Sequence, residues 1–374
     1  MTPGPAWRRA VRVAAWVAAG ALAGPAFADT PADARALLER LRDEIAALPA
    51  DEPMPIDRVL ERHADRSGIE LRVEQDDDAD SLERKRPPGL SDAEWRALLV
   101  AWSAGAIAIE SENGGAGLTF LDLDEDGRRD LVVEQYLGGT GLYSYMSTLR
   151  NAPGAGYVDS DGMTTYSING RGGDQSLYWL RIDGRSYAAY RDGAYGRDTL
   201  TLQRPLAPAP PAGATRPALV LRYRYRHRVL PSAAETRRDD ALQAALDADA
   251  DFTASADRAL ADVRLDRAGR QRRPDPDARC PTPPGTPAEE DAWPWHGAGH
   301  YSFDFAATAR VRTPQACYAA TVIAFRSSYL KSYAGCCTLW VQTRPGDAVA
   351  ERPLDTQRLR EQVRIEWVDA GGEE

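Results

Sequence analysis

Apolar residues recur at helical spacing in three places near the N-terminus. One run begins at Pro31 and a second covers residues 55–63, each with charged residues on the opposite face. The sequence Ser91-Asp-Ala-Glu94 has the form of a capping box and precedes the third run. The pattern predicts a helical region over residues 29–105, in which the charged stretch from Glu74 to Pro88 is irregular.

From residue 106 to residue 206 the apolar positions alternate, as in strands with one buried face. The dipeptides Asp183-Gly184 and Asp192-Gly193 separate short alternating runs and are typical of hairpin turns. These runs predict an antiparallel β region. Residues 207–217 are rich in proline and alanine and predict a linker or a long loop.

Residues 218–374 return to the strand pattern, with a helical insertion around Leu242 and Leu246. The predicted fold class is α+β: N-terminal helices, then mostly antiparallel β-sheet, then a β-rich C-terminal part with disulfides. The sequence leaves open whether the two β-rich regions form one domain or two.

The N-terminus has the parts of an export signal. Arginines at positions 8, 9 and 12 precede an apolar stretch at residues 13–22, and Ala26-Phe-Ala28 has small residues where a signal peptidase reads the chain. We expect residues 1–28 to be a signal peptide that is cleaved after Ala28, and the mature protein to be periplasmic or secreted. No later apolar run approaches the ~18 residues of a membrane-spanning helix, so no span is expected in the mature chain.

Cleavage makes the chain more acidic. Removal of the three arginines from 46 basic residues leaves 43 basic against 56 acidic residues, a net charge of −13. Nucleic acid is therefore not an expected partner, since binding to its phosphates needs clustered positive charge.

All four cysteines lie in the C-terminal region, at positions 280, 317, 336 and 337. An even count in an exported chain favours disulfides, and the spacing is unlike that of structural zinc sites. A bond between the adjacent Cys336 and Cys337 closes a strained ring, so we expect Cys280 and Cys317 each to pair with one of those two. The sequence does not decide which.

The most informative stretch reads Asp122-Leu-Asp124-Glu-Asp126-Gly-Arg128-Arg-Asp130. Carboxylates at positions one, three and five turn toward one hard cation when the chain curls, and glycine at position six permits that turn. Position seven supplies a backbone carbonyl and position nine another carboxylate. The alternative is a solvated acidic turn, which is less favoured because four neighbouring carboxylates repel one another when no cation lies among them.

Apolar residues flank this loop, Leu118 to Phe120 before it and Leu131 to Val133 after it, and Val133 occupies the position of the last glutamate of an EF-hand. The stretch therefore resembles the strand-loop-strand calcium loop, D-x-D-x-D-G-x-x-D, of integrin-type FG-GAP and VCBS repeats. The resemblance covers only the loop and its flanks, with a poor echo at residues 159–162. It implies calcium as the cofactor, and the implied ligands are the side chains of Asp122, Asp124, Asp126 and Asp130 and the carbonyl of Arg128. With one ligand fewer than an EF-hand, affinity is expected on the order of 10⁻⁴ to 10⁻³ M.

No motif identifies a catalytic residue or decides whether the chain is an enzyme. A serine elbow is missing from the sequence, and cysteines in disulfides are not available as thiolates. The favoured function is a calcium-stabilised exported protein with a non-enzymatic binding or structural role toward an envelope or extracellular ligand. The alternative is an exported hydrolase acting on cell-wall glycan or peptide, with Glu134, His296 or His300 as candidate residues.

A glycine- and tyrosine-rich segment, Leu137 to Tyr145, is a further candidate surface for a ligand. Glycines allow close approach of a ligand, and tyrosines offer flat amphipathic faces to sugars or peptides. Packing of these aromatic residues on the sheet is the more ordinary interpretation.

Overall fold

A computed structural model describes residues 31–107, 109, 111, 114–138, 143–158, 166–169, 175–194, 196–207, 211, 213–230, 240–261, 304–324, 337–342 and 350–370. The helices in these ranges are α1 (Pro31–Ala46), α2 (Pro55–His63), α3 (Ala79–Lys85), α4 (Asp92–Ser103), α5 (Asp240–Ala248) and α6 (Phe252–Ala261). The strands before residue 210 are β1 (Ile69–Glu74), β2 (Gly115–Leu121), β3 (Asp130–Gly138), β4 (Tyr143–Ala152), β5 (Gly156–Val158), β6 (Tyr166–Asn169), β7 (Gln175–Ile182), β8 (Arg185–Ala194) and β9 (Arg197–Gln203). The later strands are β10 (Thr215–Val229), β11 (Asp304–Arg312), β12 (Cys317–Ala324), β13 (Cys337–Gln342) and β14 (Ala350–Asp369).

The strands form two sheets. The six-stranded sheet has the order β1-β2-β3-β4-β5, with β6 paired to β4, and the eight-stranded sheet has the order β11-β12-β13-β14-β10-β9-β8-β7. Each of these strand pairs, from β1 with β2 to β13 with β14, is antiparallel. The predicted α+β class with mostly antiparallel sheet and a β-rich C-terminal part is confirmed.

The eight-stranded sheet continues across the predicted linker. Strands β7 to β9 precede residues 207–217, β10 begins within them at Thr215, and β9 and β10 pair directly. The two β-rich regions of the sequence therefore share one sheet.

Helices α1 and α2 form as predicted and cover one face of the eight-stranded sheet. Their leucine and isoleucine side chains, including Leu38, Leu41 and Ile56, are fully buried against Leu219 and Leu221 of β10. The apolar side chains lie three to four residues apart on one helical face, so one face is buried and the other remains charged.

Helices α3 and α4 pack on the six-stranded sheet, where Trp95 and Leu98 join the core that contains Phe120. The predicted capping box at Ser91 and Glu94 is present. The prediction of an irregular stretch from Glu74 to Pro88 is wrong, because it contains the end of β1 and all of α3.

The charged side chains of that stretch support α3. The Asp78 carboxylate caps the helix by accepting the Ser81 N–H at 2.7 Å, and Lys85 forms an ion pair with Asp77 at 2.6 Å. Local pairing of opposite charges therefore permits a helix in a stretch whose charge density suggested a loop.

Two further elements differ from the sequence prediction. Helix α6, with Phe252 and Ala256 buried against strands of the C-terminal half, was not predicted. Asp192 and Gly193 lie within β8 and pair with Thr199 and Asp198 of β9, so this dipeptide is not the hairpin turn. The turn at Asp183-Gly184 is confirmed, with both residues at positive φ.

The strand register corrects the expected cysteine pairing. Cys317 begins β12, whereas Cys337 begins β13 and lies opposite Ala324. Ala324 is seven residues from Cys317 along β12, a Cα separation of about 24 Å, while a disulfide needs less than ~7 Å. Cys337 is therefore out of reach of Cys317, and the expected alternative that pairs these two cysteines is wrong. Cys280 and Cys336 lie outside the described residues.

None of the helices in the described ranges has the length and apolar character needed to cross a bilayer. The predicted signal peptide, residues 1–28, lies outside those ranges.

Candidate metal centre

The acidic loop connects β2 to β3 at one end of the six-stranded sheet. Leu121 and Asp130 form the last residue pair of the two strands, which brings the ends of the loop together. Glu125 and Gly127 have φ values of 64° and 85°, and these left-handed residues curl the backbone. A side chain at Gly127 would meet open space, so it is backbone conformation that favours glycine there.

The curl brings three carboxylates together. One oxygen from each of Asp122, Asp124 and Asp130 lies within 4.8 Å of the other two. The Oδ1 atoms of Asp122 and Asp124 are buried without a hydrogen-bond partner, which is costly for an anionic group. A hard cation among the three aspartates satisfies both oxygens, so this donor set fits the predicted ion.

Asp130 is the anchor of the cluster. It is 1 % exposed, and its two oxygens accept the N–H groups of Leu123 and Asn151, each at 2.9 Å. Burial raises the pKa of Asp130 to about 7, with the charges of Asp124 and Asp126 adding to the increase and the two N–H groups opposing it. The protein's own groups therefore do not fully compensate the negative charge of the buried Asp130 carboxylate.

Asp124 is held less firmly than Asp130. Burial and the neighbouring Asp126 raise its pKa, while Arg150 of β4 opposes the shift from 3.3 Å. Arg150 provides part of the positive charge that the cluster needs. A divalent cation would provide the rest.

The structure does not bring Asp126 into this group. Its Oδ1 accepts the backbone N–H of Arg128 at 2.8 Å, and its Oδ2 is paired with the Arg128 guanidinium. Arg128 in turn donates to the Asn151 carbonyl at 3.1 Å. Three of the four predicted side-chain ligands therefore converge, and the fourth is bound by the arginine two residues later.

Residues from β4 complete the surroundings of the cluster and were missed from the sequence. Arg150 and Asn151 follow Asp130 by about twenty positions, and the pairing of β4 with β3 brings Arg150 to Asp124 and the Asn151 N–H to Asp130. No pattern within the nine-residue loop points to them.

The other candidate residues lie elsewhere. Glu134 is on β3, across from Gly117 and Met146, and is not one of the three converging carboxylates. His296 and His300 lie outside the described residues, as do residues 139–142 of the glycine- and tyrosine-rich segment. At the ends of that segment, Leu137 and Tyr145 are 37 % and 42 % exposed.

An all-oxygen set of three aspartates suits calcium, magnesium or manganese. Comparisons of the chain with protein-family models, with curated proteins and with solved structures found no match. The chemistry of the loop is therefore the main guide to function.

Proposed function

We propose that the chain is an exported, calcium-stabilised protein with a binding or structural role, in which Asp122, Asp124 and Asp130 hold the ion. The observation that carries the proposal is the pair of buried Oδ1 atoms, on Asp122 and Asp124, that lack a hydrogen-bond partner beside a third buried carboxylate. Calcium is favoured over magnesium because calcium accepts irregular oxygen geometry, whereas magnesium demands a near-ideal octahedron.

Calorimetric titration of the mature chain, residues 29–374, tests this proposal. After chelator treatment and dialysis, calcium should bind with a Kd on the order of 10⁻⁴ to 10⁻³ M, and magnesium more weakly. Asp124→Asn should abolish the heat of calcium binding. Asp51→Asn removes the same charge from an exposed position outside the loop and should bind like the wild type.

A folded wild-type chain that gives neither a heat nor a change in melting temperature with calcium overturns the metal site. Equal loss of binding in the Asp124 and Asp51 variants would assign the effect to overall charge.

Export is the second part of the proposal, and it rests on the basic, apolar and small-residue segments before Asp29. N-terminal sequencing of the protein from the periplasm or medium of an expressing bacterium should begin at Asp29. A protein that stays in the cytoplasm and still begins at Met1 would contradict the proposed export.

The alternative is a hydrolase acting on cell-wall glycan or peptide, and one observation favours it. Partial desolvation and the charge of Glu70 raise the pKa of Glu134, as expected of a general acid, although the residue is exposed. Gly117, on the strand between them, leaves the space beside Glu134 open. Release of products from envelope polymers by the wild type but not by Glu134→Gln would establish hydrolysis. No product from a panel of glycans and peptides would leave the binding role.

A further inference from the structure

We infer that the calcium loop is also the element that docks the six-stranded sheet on the eight-stranded sheet, so that ion binding strengthens this docking. The inference rests on the proposed calcium site and concerns its regulation. Side chains alternate along the loop: Asp122 and Asp124 converge with Asp130, whereas the intervening residues Leu123 and Glu125 contact the other sheet.

Leu123 provides the apolar part of the contact. It is 1 % exposed and belongs to a small core with Leu121, Val132 and Leu206, against which Trp179 of β7 packs. This core lies between residues of the two sheets and is separate from the cores under the helices.

Glu125 provides the polar part. Its Oε1 accepts the backbone N–H of Ser186 on β8 at 2.5 Å and pairs with the Arg204 guanidinium at 2.7 Å. Arg204 also donates to the Ser186 carbonyl at 2.7 Å. Both backbone groups of Ser186 are therefore bound by Glu125 and Arg204.

The strand register explains why Ser186 needs these partners. Strand β9 ends at Gln203, which lies opposite Ala188, so β9 does not extend far enough to pair with Ser186. An unpaired backbone N–H at such a buried position is unfavourable. The loop thus replaces the missing strand at this end of β8.

Asp122 takes part both in the carboxylate cluster and in the contact with the eight-stranded sheet. Its side chain is one of the three converging carboxylates, and its carbonyl oxygen accepts from the Arg181 guanidinium and from the Ser186 hydroxyl, each at 3.1 Å. An ion that holds the carboxylates together fixes the backbone curl that presents Glu125 to Ser186. Repulsion among the carboxylates opposes that curl when no ion is bound.

Amide hydrogen exchange at Ser186, measured with and without calcium, tests the coupling. Saturating calcium should slow exchange of this amide at least tenfold in the wild type. Glu125→Ala should still bind calcium by calorimetry, but the ion should no longer alter exchange at Ser186. Glu39→Ala, a substitution of an exposed glutamate on α1, is the matched control and should behave like the wild type.

A second variant uses the reciprocity of coupled equilibria. Arg204 is not among the converging residues, yet Arg204→Ala should weaken calcium binding by roughly fivefold, since loss of docking must lower the affinity for the ion that favours docking. Arg35→Ala, at an exposed arginine on α1, should leave the Kd unchanged.

The outcomes separate the two proposals. Calcium binding with unchanged Ser186 exchange in the wild type, or an unchanged Kd in a folded Arg204→Ala variant, overturns the coupling and leaves the calcium site standing. Absence of any calcium heat in the wild type overturns both.

Discussion

Asp124 and Asp130 have the same functional group in one loop, but their surroundings assign them different roles. Asp130 binds two backbone N–H groups with its two oxygens, whereas Asp124 has one oxygen near the partly exposed Arg150 and one without a partner. Asp130 therefore fixes these two backbone N–H groups whether or not an ion is present. Asp124 contributes chiefly when a cation is bound.

Substitution by asparagine should separate these roles. Without calcium and at about pH 4, where the raised pKa keeps folded Asp130 uncharged, Asp130→Asn should lower the free energy of unfolding by roughly 1 to 3 kcal/mol, because the amide NH₂ group cannot accept the second buried N–H. Asp124→Asn should change it by less than about 1 kcal/mol, since an ion pair this exposed adds little. Urea denaturation in EDTA measures both values. A larger loss for Asp124→Asn than for Asp130→Asn would reverse the two roles.

His227 predicts a pH dependence that is independent of the metal. Burial lowers its pKa to about 4, and its ring stacks on Tyr225 with centroids 5.8 Å apart. The unfolded chain binds a proton near pH 6.5 and the folded chain near pH 4, so stability falls as the pH falls through this window. Protonation of His227 should therefore lower the free energy of unfolding by about 3 kcal/mol once the pH is below this window.

Phenylalanine at position 227 keeps an aromatic ring that can stack on Tyr225 and has no group that titrates. His227→Phe should lose less stability than the wild type between pH 6.5 and pH 4.5 when both are denatured with urea in EDTA. Parallel stability curves for the two proteins would show that His227 does not titrate differently on folding.

At the scale of elements, the sequence predicts what local patterns determine. The limits of α2 and the capping box of α4 match the prediction because the apolar period and the cap lie within the element itself. Pairing of β10 with β14 joins Thr215 to Asp369, and no local signal specifies so distant a partner. Three converging aspartates were predictable from spacing. The contribution of β4, including the Asn151 carbonyl that accepts from Arg128, depends on tertiary structure.

The register of β12 and β13 makes a prediction about the disulfides. Trypsin cleavage after arginine and lysine places Cys280, Cys317 and the pair Cys336-Cys337 on three different peptides. Since Cys337 is about 24 Å from Cys317, the Cys317 peptide should be linked to the Cys280 peptide in a nonreducing digest. Mass spectrometry after blocking free thiols reads the link directly. A Cys317 peptide joined to the peptide of Cys336 and Cys337 would show that the described register is wrong.

At the scale of the whole molecule, each sheet has its own helices and its own apolar core, and two sets of contacts between the sheets stand out among the described residues. One is the contact of the acidic loop, Asp122 to Asp130, with β8. The other surrounds Tyr166 of β6, whose ring lies edge-on to Trp179 with centroids 6.2 Å apart and whose hydroxyl binds Gln203. Separate cores joined by limited contacts are the arrangement in which parts of a protein unfold independently once those contacts are weakened.

Truncation of one side chain in each set of contacts should reveal this independence. Glu125→Ala and Tyr166→Ala should each lower stability, by about 2 and about 3 kcal/mol, and each should still unfold in one transition because the remaining contacts hold the sheets together. In the double variant, guanidinium unfolding in EDTA should split into two transitions. Saturating calcium should not restore a single unfolding transition in the double variant, because that variant lacks Glu125, the loop side chain that reaches Ser186. One cooperative transition in the double variant would mean that the sheets do not rely on these contacts to unfold together.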